Sequence, residues 1–355
     1  MKKLLFFILF GVLILRIYFY YSLRTKYPNG TKIRITSKVT IEPVVYDKSQ
    51  YLKLIGLKIY IPKYPEVNYG DTVVIEGVVV DNKLTDVEVI KIEKSRGFIY
   101  NFRNKVIDFY QKSLPQTHAS LVAGMTLGSK ANISLDFWTV LKNSGTAHVV
   151  VASGMNVSLV ASFLMGFLVL IFPRRRAIPF ALMGIWIYAL LSGFEAPIVR
   201  AAIMGSFAFV AQELGRIYSA FRALVGSAGT LLIIRPDWFT DLGFILSFVA
   251  TLSLIIFVPK IERLFRSWPK IVKQDLVTTL SAQIGVAPIL YYYFGQFNVF
   301  SPIANVLVLW TVVPITILGM VSGIIGTFSE PIGKSVLLLV YPLTSWFIRI
   351  VTLFA

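Results

Sequence analysis

Within an otherwise apolar stretch, the run Gly145-Thr146-Ala147-His148-Val149-Val150-Val151-Ala152-Ser153-Gly154-Met155-Asn156-Val157 concentrates an imidazole, a hydroxyl, an amide and two glycines. At bilayer depth each such polar group costs free energy unless protein or water satisfies it. The run therefore faces something other than lipid. His148 and Ser153 stand about one helical turn apart, a spacing open to a base and a nucleophile, but no third group that would orient the base is evident. Asn156 contributes both a donor and an acceptor.

Four more polar side chains interrupt later apolar segments. Arg200 lies in Pro197-Ile198-Val199-Arg200-Ala201-Ala202-Ile203-Met204, Asp241 opens Asp241-Leu242-Gly243-Phe244, and Gln283 and Asn305 follow. A charge at membrane depth is a functional hypothesis by default, and Arg200 and Asp241 are candidates for the wall of a polar path. For Arg200 an internal ion pair with Glu195 or Glu213 is an equal alternative. For Gln283 and Asn305, hydrogen bonding between helices competes with a place on that path. Cysteine is absent and the histidines are two, His118 and His148, so disulfides, thiolate sites and a histidine-rich metal centre are excluded; no catalytic residue, metal or cofactor is expected.

The elements that must position these groups follow from composition. Of 355 residues 56% are hydrophobic and 15% charged, and spanning-length apolar runs recur after residue 150, which indicates an α-helical polytopic membrane protein. Residues 1–23 carry two lysines ahead of an apolar run but no small-residue cleavage pattern, so they read as an uncleaved anchor. Residues 28–95 alternate in short segments around Gly70-Asp71 and suggest about five strands, a small all-β barrel of the OB type, with an SH3-like barrel fitting almost as well. Tyr46, Tyr51, Lys58 and Tyr60 could form a DNA-binding face on it, although strand propensity alone accounts for the tyrosines. Residues 96–150 begin with an amphipathic pattern, Phe98, Phe102, Val106, Phe109 and Tyr110 on one side with Arg103, Lys105 and Lys112 elsewhere, and are expected at the membrane surface or beneath the barrel. Residues 151–355 form the multi-helix domain.

The net charge is +17, with basic clusters at Arg174-Arg175-Arg176, at Arg216 with Arg222, and through Lys260, Arg263, Arg266, Lys270 and Lys273. These read first as cytoplasmic loops. Spans near 155–172, 178–193, 197–214, 220–235 and 242–258 then place the barrel outside the cell membrane and the 259–273 loop inside.

Several blocks stand in a fixed order: Gly145-Thr146-Ala147-His148, Ser153-Gly154, Arg200-Ala201-Ala202-Ile203-Met204, Gly215-Arg216, Arg235-Pro236-Asp237, Leu242-Gly243-Phe244-Ile245-Leu246-Ser247-Phe248, Ala282-Gln283 with Pro288, Phe294-Gly295 and Ala304-Asn305. In this order they resemble the competence domain of the ComEC DNA-uptake channels, over roughly residues 118–355, and the segment before it looks like that family's OB domain. The resemblance implies passage of single-stranded DNA across the cytoplasmic membrane during natural transformation, with His148, Ser153, Gly154, Asn156 and Arg200 on the DNA path. It departs in two ways. Asn156 stands where the family usually has His, and no metallo-β-lactamase-like domain follows before Ala355, so a nuclease is expected to act separately. No Walker-type phosphate loop is present, so a cytoplasmic helicase or other DNA-processing partner is implied. A small-solute or lipid transporter with a recognition barrel is the alternative, and a membrane hydrolase a more distant one.

Overall fold

The computed structural model describes residues 2–23, 27–46, 49–95, 97–151, 153–295, 298 and 300–355. Arg24, Lys26, Arg96 and Ala152 lie outside them. The chain divides into two compact units, one of Met1–Thr25, Val157–Trp186 and Ala196–Val306, the other of Lys26–Asn156, Ile187–Glu195 and Leu307–Ala355.

In the second unit the alternating segments form β1 (Lys32–Lys38), β2 (Val44–Val45), β3 (Ser49–Leu54), β4 (Leu57–Pro62), β5 (Thr72–Val80) and β6 (Lys83–Glu93), one sheet in the order β1-β5-β6-β4-β3-β2. Period-two patterning does what it must. In β4 Leu57, Ile59 and Ile61 are buried while Lys58, Tyr60 and Pro62 are exposed. The buried face gathers Leu52, Leu54, Ile59, Ile61, Val73, Ile75 and Val79 into a core of its own. Each such side chain withdrawn from water contributes roughly 1.5–3 kcal/mol. The expected closed barrel is corrected: among the described residues β1 and β2 are free edges, so the sheet is open. Closure needs a paired edge, and β2 is only two residues long behind Pro43, which has no amide proton to donate.

The same unit continues with α2 (Phe98–Ser113), α3 (Gln116–Leu127), α4 (Leu135–Asn143) and α5 (Ala147–Val150), and takes in the greater part of α12 (Ser301–Phe328) with α13 (Glu330–Leu338) and α14 (Val340–Leu353). These helices share a large apolar core, from Val106 and Tyr110 through Leu121 and Met125 to Val312, Phe347 and Val351. One face of α2 and most of α3 thus lie in this core, while Phe98, Lys105 and Asp108 on the other face of α2 stay exposed. Glycines on α12 allow the approach. A Cβ on Gly323 would lie 2.5 Å from the Tyr110 hydroxyl, and one on Gly326 would lie 2.6 Å from the Phe109 ring. The Tyr110 hydroxyl donates to the Gly319 carbonyl at 2.7 Å.

The first unit holds α1 (Lys2–Leu23), α6 (Gly154–Ile171), most of α7 (Arg174–Leu191), α8 (Ala196–Glu213), α9 (Ala220–Ile234), a 3-10 turn at Pro236–Thr240, α10 (Leu242–Leu264) and α11 (Lys270–Phe294). Leu13 and Ile17 of α1 pack on a cluster of Ala196, Val199, Ile203, Leu231, Leu232 and Phe244. Arg16, which interrupts the apolar run of α1, donates through Nε to the Ile233 carbonyl at 3.3 Å, at the end of α9 where carbonyls lack helical partners.

Among the described residues, three stretches are long and apolar enough to cross a membrane, Ala147–Ile171, Leu242–Leu264 and Ser301–Phe328; α13 with α14, bent by 45°, would make a fourth. Helices form over all the expected spans, but α7, α8 and α9 do not meet that standard. Arg174, Arg175 and Arg176 open α7, Arg200 and Glu213 dilute α8, and α9 has only 15 residues.

Candidate functional site

The run from Gly145 is shaped by helix ends. α4 stops at Asn143, Gly145 takes a left-handed φ of 71° that favours glycine, and the Thr146 amide returns to the Leu141 carbonyl at 2.9 Å. α5 is a single turn, and Val151 after it is extended, so this stretch is broken twice before α6 starts at Gly154. Irregular backbone at such depth is tolerated where protein or a water-filled cavity meets it. His148 is exposed and its ring is hydrogen-bonded to the Gly145 backbone. Ser153 and Gly154 are partly exposed. No hydrogen bond joins His148 to Ser153 among the described residues, so a nucleophile and base are not assembled.

Asn156 is different in kind. It is fully buried, and its Nδ2 donates to the Met125 carbonyl at 2.9 Å. That carbonyl lies in the last turn of α3, where it has no helical donor of its own. Asn156 Oδ1, the Tyr188 hydroxyl and the Ser192 hydroxyl are buried together, with Tyr188 facing both of the others.

Arg200, in the first turns of α8, is 8% exposed. One guanidinium nitrogen donates to Thr251 Oγ1 of α10, the guanidinium carbon lies 5.9 Å from the Phe248 ring, and Nε has no partner. The ion-pair expectation is overturned. Glu195 pairs instead with Lys130 at 2.7 Å, and Glu213 with Arg175 at 3.4 Å. The reason is geometric: Glu213 follows Arg200 along the same helix by roughly 20 Å of rise, and Glu195 precedes the helix. Among the described residues no carboxylate neutralises Arg200.

Asp241 serves as the N-cap of α10, accepting from the Phe244 amide at 2.9 Å. Gln283 of α11 and Asn305 of α12 meet at one hydroxyl: Gln283 Nε2 and Asn305 Nδ2 lie 3.1 and 3.3 Å from Ser301 Oγ. The Gln283 contact joins α11 to α12, whereas the Asn305 contact runs one turn back within α12 itself. On the sheet, Tyr46, Tyr51 and Tyr60 form a cluster, with ring centroids of Tyr51 and Tyr60 5.2 Å apart and those of Tyr46 and Tyr60 6.5 Å apart. Burial, then the neighbouring Tyr60 and Tyr46, pushes the Tyr51 phenol up. Lys58 is exposed one step along β4. No group of three His, Asp or Glu able to hold a metal occurs among the described residues.

One constellation escaped the sequence reading. Glu42, just before β2, accepts from Arg103 Nη2 at 3.0 Å, Ser129 Oγ at 2.8 Å and the Lys130 amide at 2.7 Å. Arg103 Nε donates to the Leu191 carbonyl at 2.8 Å. Both side chains are almost wholly buried, at 3% and 9% exposure for Arg103 and Glu42. A signal existed. Arg103, Val106, Ile107 and Tyr110 follow i, i+3, i+4, i+7, so Arg103 sits on the buried stripe of α2 and not away from it.

Residues 125–355 match the family model described as Competence protein. Among curated proteins, ComE operon protein 3 of Bacillus subtilis is 27% identical over 258 residues, 72% of this chain and 32% of that protein. Competence protein ComA of Neisseria gonorrhoeae is 27% identical over 216 residues, 57% of this chain and 30% of its own length. Recombination protein 2 of Haemophilus influenzae is 27% identical over 146 residues, 38% of this chain and 18% of its own. The chain therefore spans about a third or less of these relatives. No solved structure matches it.

Proposed function

This chain belongs to the competence protein family, and from that premise we propose that it passes a single strand of DNA across the cell membrane during natural transformation. The observation that carries this reading is Arg200, buried in a helix of a membrane-protein fold with no carboxylate beside it among the described residues. A buried cation left without a counter-charge is costly, by several kcal/mol in order of magnitude. A passing phosphate supplies the missing charge. Binding through one charge rather than many lets the strand be released and move on. His148, Ser153 and Gly154, which keep solvent access at a doubly broken stretch, are proposed path residues of one unit, and Asp241, Gln283 and Asn305 are proposed path residues of the other, beside Arg200 in the same unit. Asn156 secures the first of these groups through Met125.

In this reading the protein is multi-pass in the cell membrane, the sheet lies outside and the α10–α11 turn inside, where Arg263 and Arg266 are exposed. A cytoplasmic DNA-processing partner supplies the motor in this reading. The test is DNA uptake in a deletion strain carrying variants, scoring surface-bound and internal labelled DNA separately. Arg200→Ala should lower internal DNA at least tenfold with membrane protein and surface binding unchanged, and Arg200→Lys should retain part, since charge survives without the planar fork. Normal uptake by Arg200→Ala would remove this residue from the path.

A further inference from the structure

The turn between α8 and α9 holds a cleft that the uptake reading leaves unused. α8 stops in a glycine reversal: Gly215 takes a left-handed φ of 61°, its amide returns to the Gln212 carbonyl at 3.2 Å, and the Arg216 amide returns to the Ala211 carbonyl at 2.8 Å. The chain doubles back there, so Arg216 and Tyr218 line, with Ala208, Phe209 and Gln212, a cleft of 340 Å³. Small-ligand clefts start at about this size, in a range of about 300–1,000 Å³. The polar side chains on its wall are a guanidinium, a carboxamide and a phenol, all able to donate. None of these side chains has a hydrogen bond or ion pair among the described residues, and no carboxylate lines the cleft. Glu213, on the last turn of α8, pairs with Arg175 instead. Donors gathered without an acceptor suit an anion. The surroundings are aliphatic: Val210, Leu214 and Ile217 lie on the same stretch with exposed side chains, Ile217 to 91%. Large apolar groups left bare beside cations fit the boundary between headgroups and acyl chains.

We propose that this cleft holds the phosphate of one anionic phospholipid of the cytoplasmic leaflet, with Arg216, Gln212 and Tyr218 donating to its oxygens and its chains against Phe209 and the aliphatic rim. The positive-inside rule by itself accounts for exposed cations on such a turn, Arg222 among them. It does not account for a cleft in which one of those cations stands with two neutral donors and no carboxylate. A zwitterionic headgroup brings a cation for which the cleft has no counter-charge, so the net charge of the lipid decides between headgroups. A nucleic-acid strand also carries phosphates but has nothing to cover an aliphatic rim. Such a lipid needs a bilayer around the chain and no DNA, so loss of the lipid site leaves the uptake reading standing.

The full chain in dodecyl maltoside micelles is titrated with dioleoylphosphatidylglycerol and, separately, with dioleoylphosphatidylcholine, and retained lipid is counted by native mass spectrometry. A single phosphatidylglycerol should be held roughly tenfold more tightly than phosphatidylcholine, and Arg216→Gln should remove that difference, a loss of the size that one hydrogen bond to a charged group supplies. Arg216→Lys should keep part of it, since the charge survives without the planar fork. Ala208→Phe fills the cleft without touching a charge and should also release the lipid. Arg222→Gln, which changes a cation outside the cleft, should leave the lipid bound. Equal retention of the two lipids by the unaltered protein overturns the proposal, as does undiminished binding of phosphatidylglycerol in Arg216→Gln or in Ala208→Phe. If Arg222→Gln weakens binding as much as Arg216→Gln, the contact is general surface charge and the cleft is not a site. Tyr218 lies within electrostatic reach of Arg200, which makes the DNA strand the rival occupant. Displacement of phosphatidylglycerol by oligothymidylate at equal phosphate concentration would give the cleft to DNA, and displacement by inorganic phosphate would make it a free-anion site; either result ends the lipid assignment.

Discussion

Asn156 shows how much one buried amide can decide. Its Nδ2 takes up a carbonyl that α3 leaves unpaired at Met125, while Arg103 Nη2 reaches the neighbouring Leu127 carbonyl at 3.5 Å. A buried acceptor stripped of its partner costs about 1–3 kcal/mol. Asn156→Leu is therefore expected to lower stability in detergent by about that amount and to reduce uptake through the loosened α3 end. Thermal melting beside a transformation assay checks this. An unchanged melting temperature with abolished uptake would instead put the Asn156 amide in contact with the strand. Arg200 is the opposite case, a group whose partners inside the protein are too few for its charge, which is why its substitution is read in uptake.

Elements are joined by a small number of buried polar contacts set in apolar packing. Glu42 ties the chain between β1 and β2 to α2 and to the turn after α3, and Arg103 adds the end of α7 through Leu191. Breaking such a pair from one side leaves the other charge stranded, at about 3–5 kcal/mol. Glu42→Ala should accordingly destabilise the protein by about that much, and Glu42→Ala with Arg103→Met should recover a large part of the loss. A double-mutant cycle by chemical denaturation measures it. If the two effects simply add, the ion pair is not what couples these elements. The glycine face of α12 contributes in another currency, since Gly323 and Gly326 leave room for the rings of Tyr110 and Phe109.

For the whole molecule the open matter is orientation, which the basic clusters address through the positive-inside rule. Single cysteines are clean probes because the chain has none of its own. Lys83→Cys on the sheet should react with an impermeant thiol reagent in intact cells, and Arg266→Cys in the α10–α11 turn only after the cells are opened. The reverse pattern inverts the topology and places the sheet in the cytoplasm.

Local pattern was enough to establish what kind of protein this is. Alternation marked β1, β3, β4 and β5, apolar length marked the spans near 155–172 and 242–258 where α6 and α10 form, and the order of short polar blocks carried the family, because each depends on neighbours in the chain. Contacts between distant residues were not legible in this way. Whether the sheet closes depends on the meeting of β1 and β2, and whether Arg200 is neutralised depends on where Glu195 and Glu213 go. Only tertiary structure decided these, because the free energy of a buried charge or a paired edge is set by what the fold brings beside it, and a sequence lists residues without stating their neighbours in space.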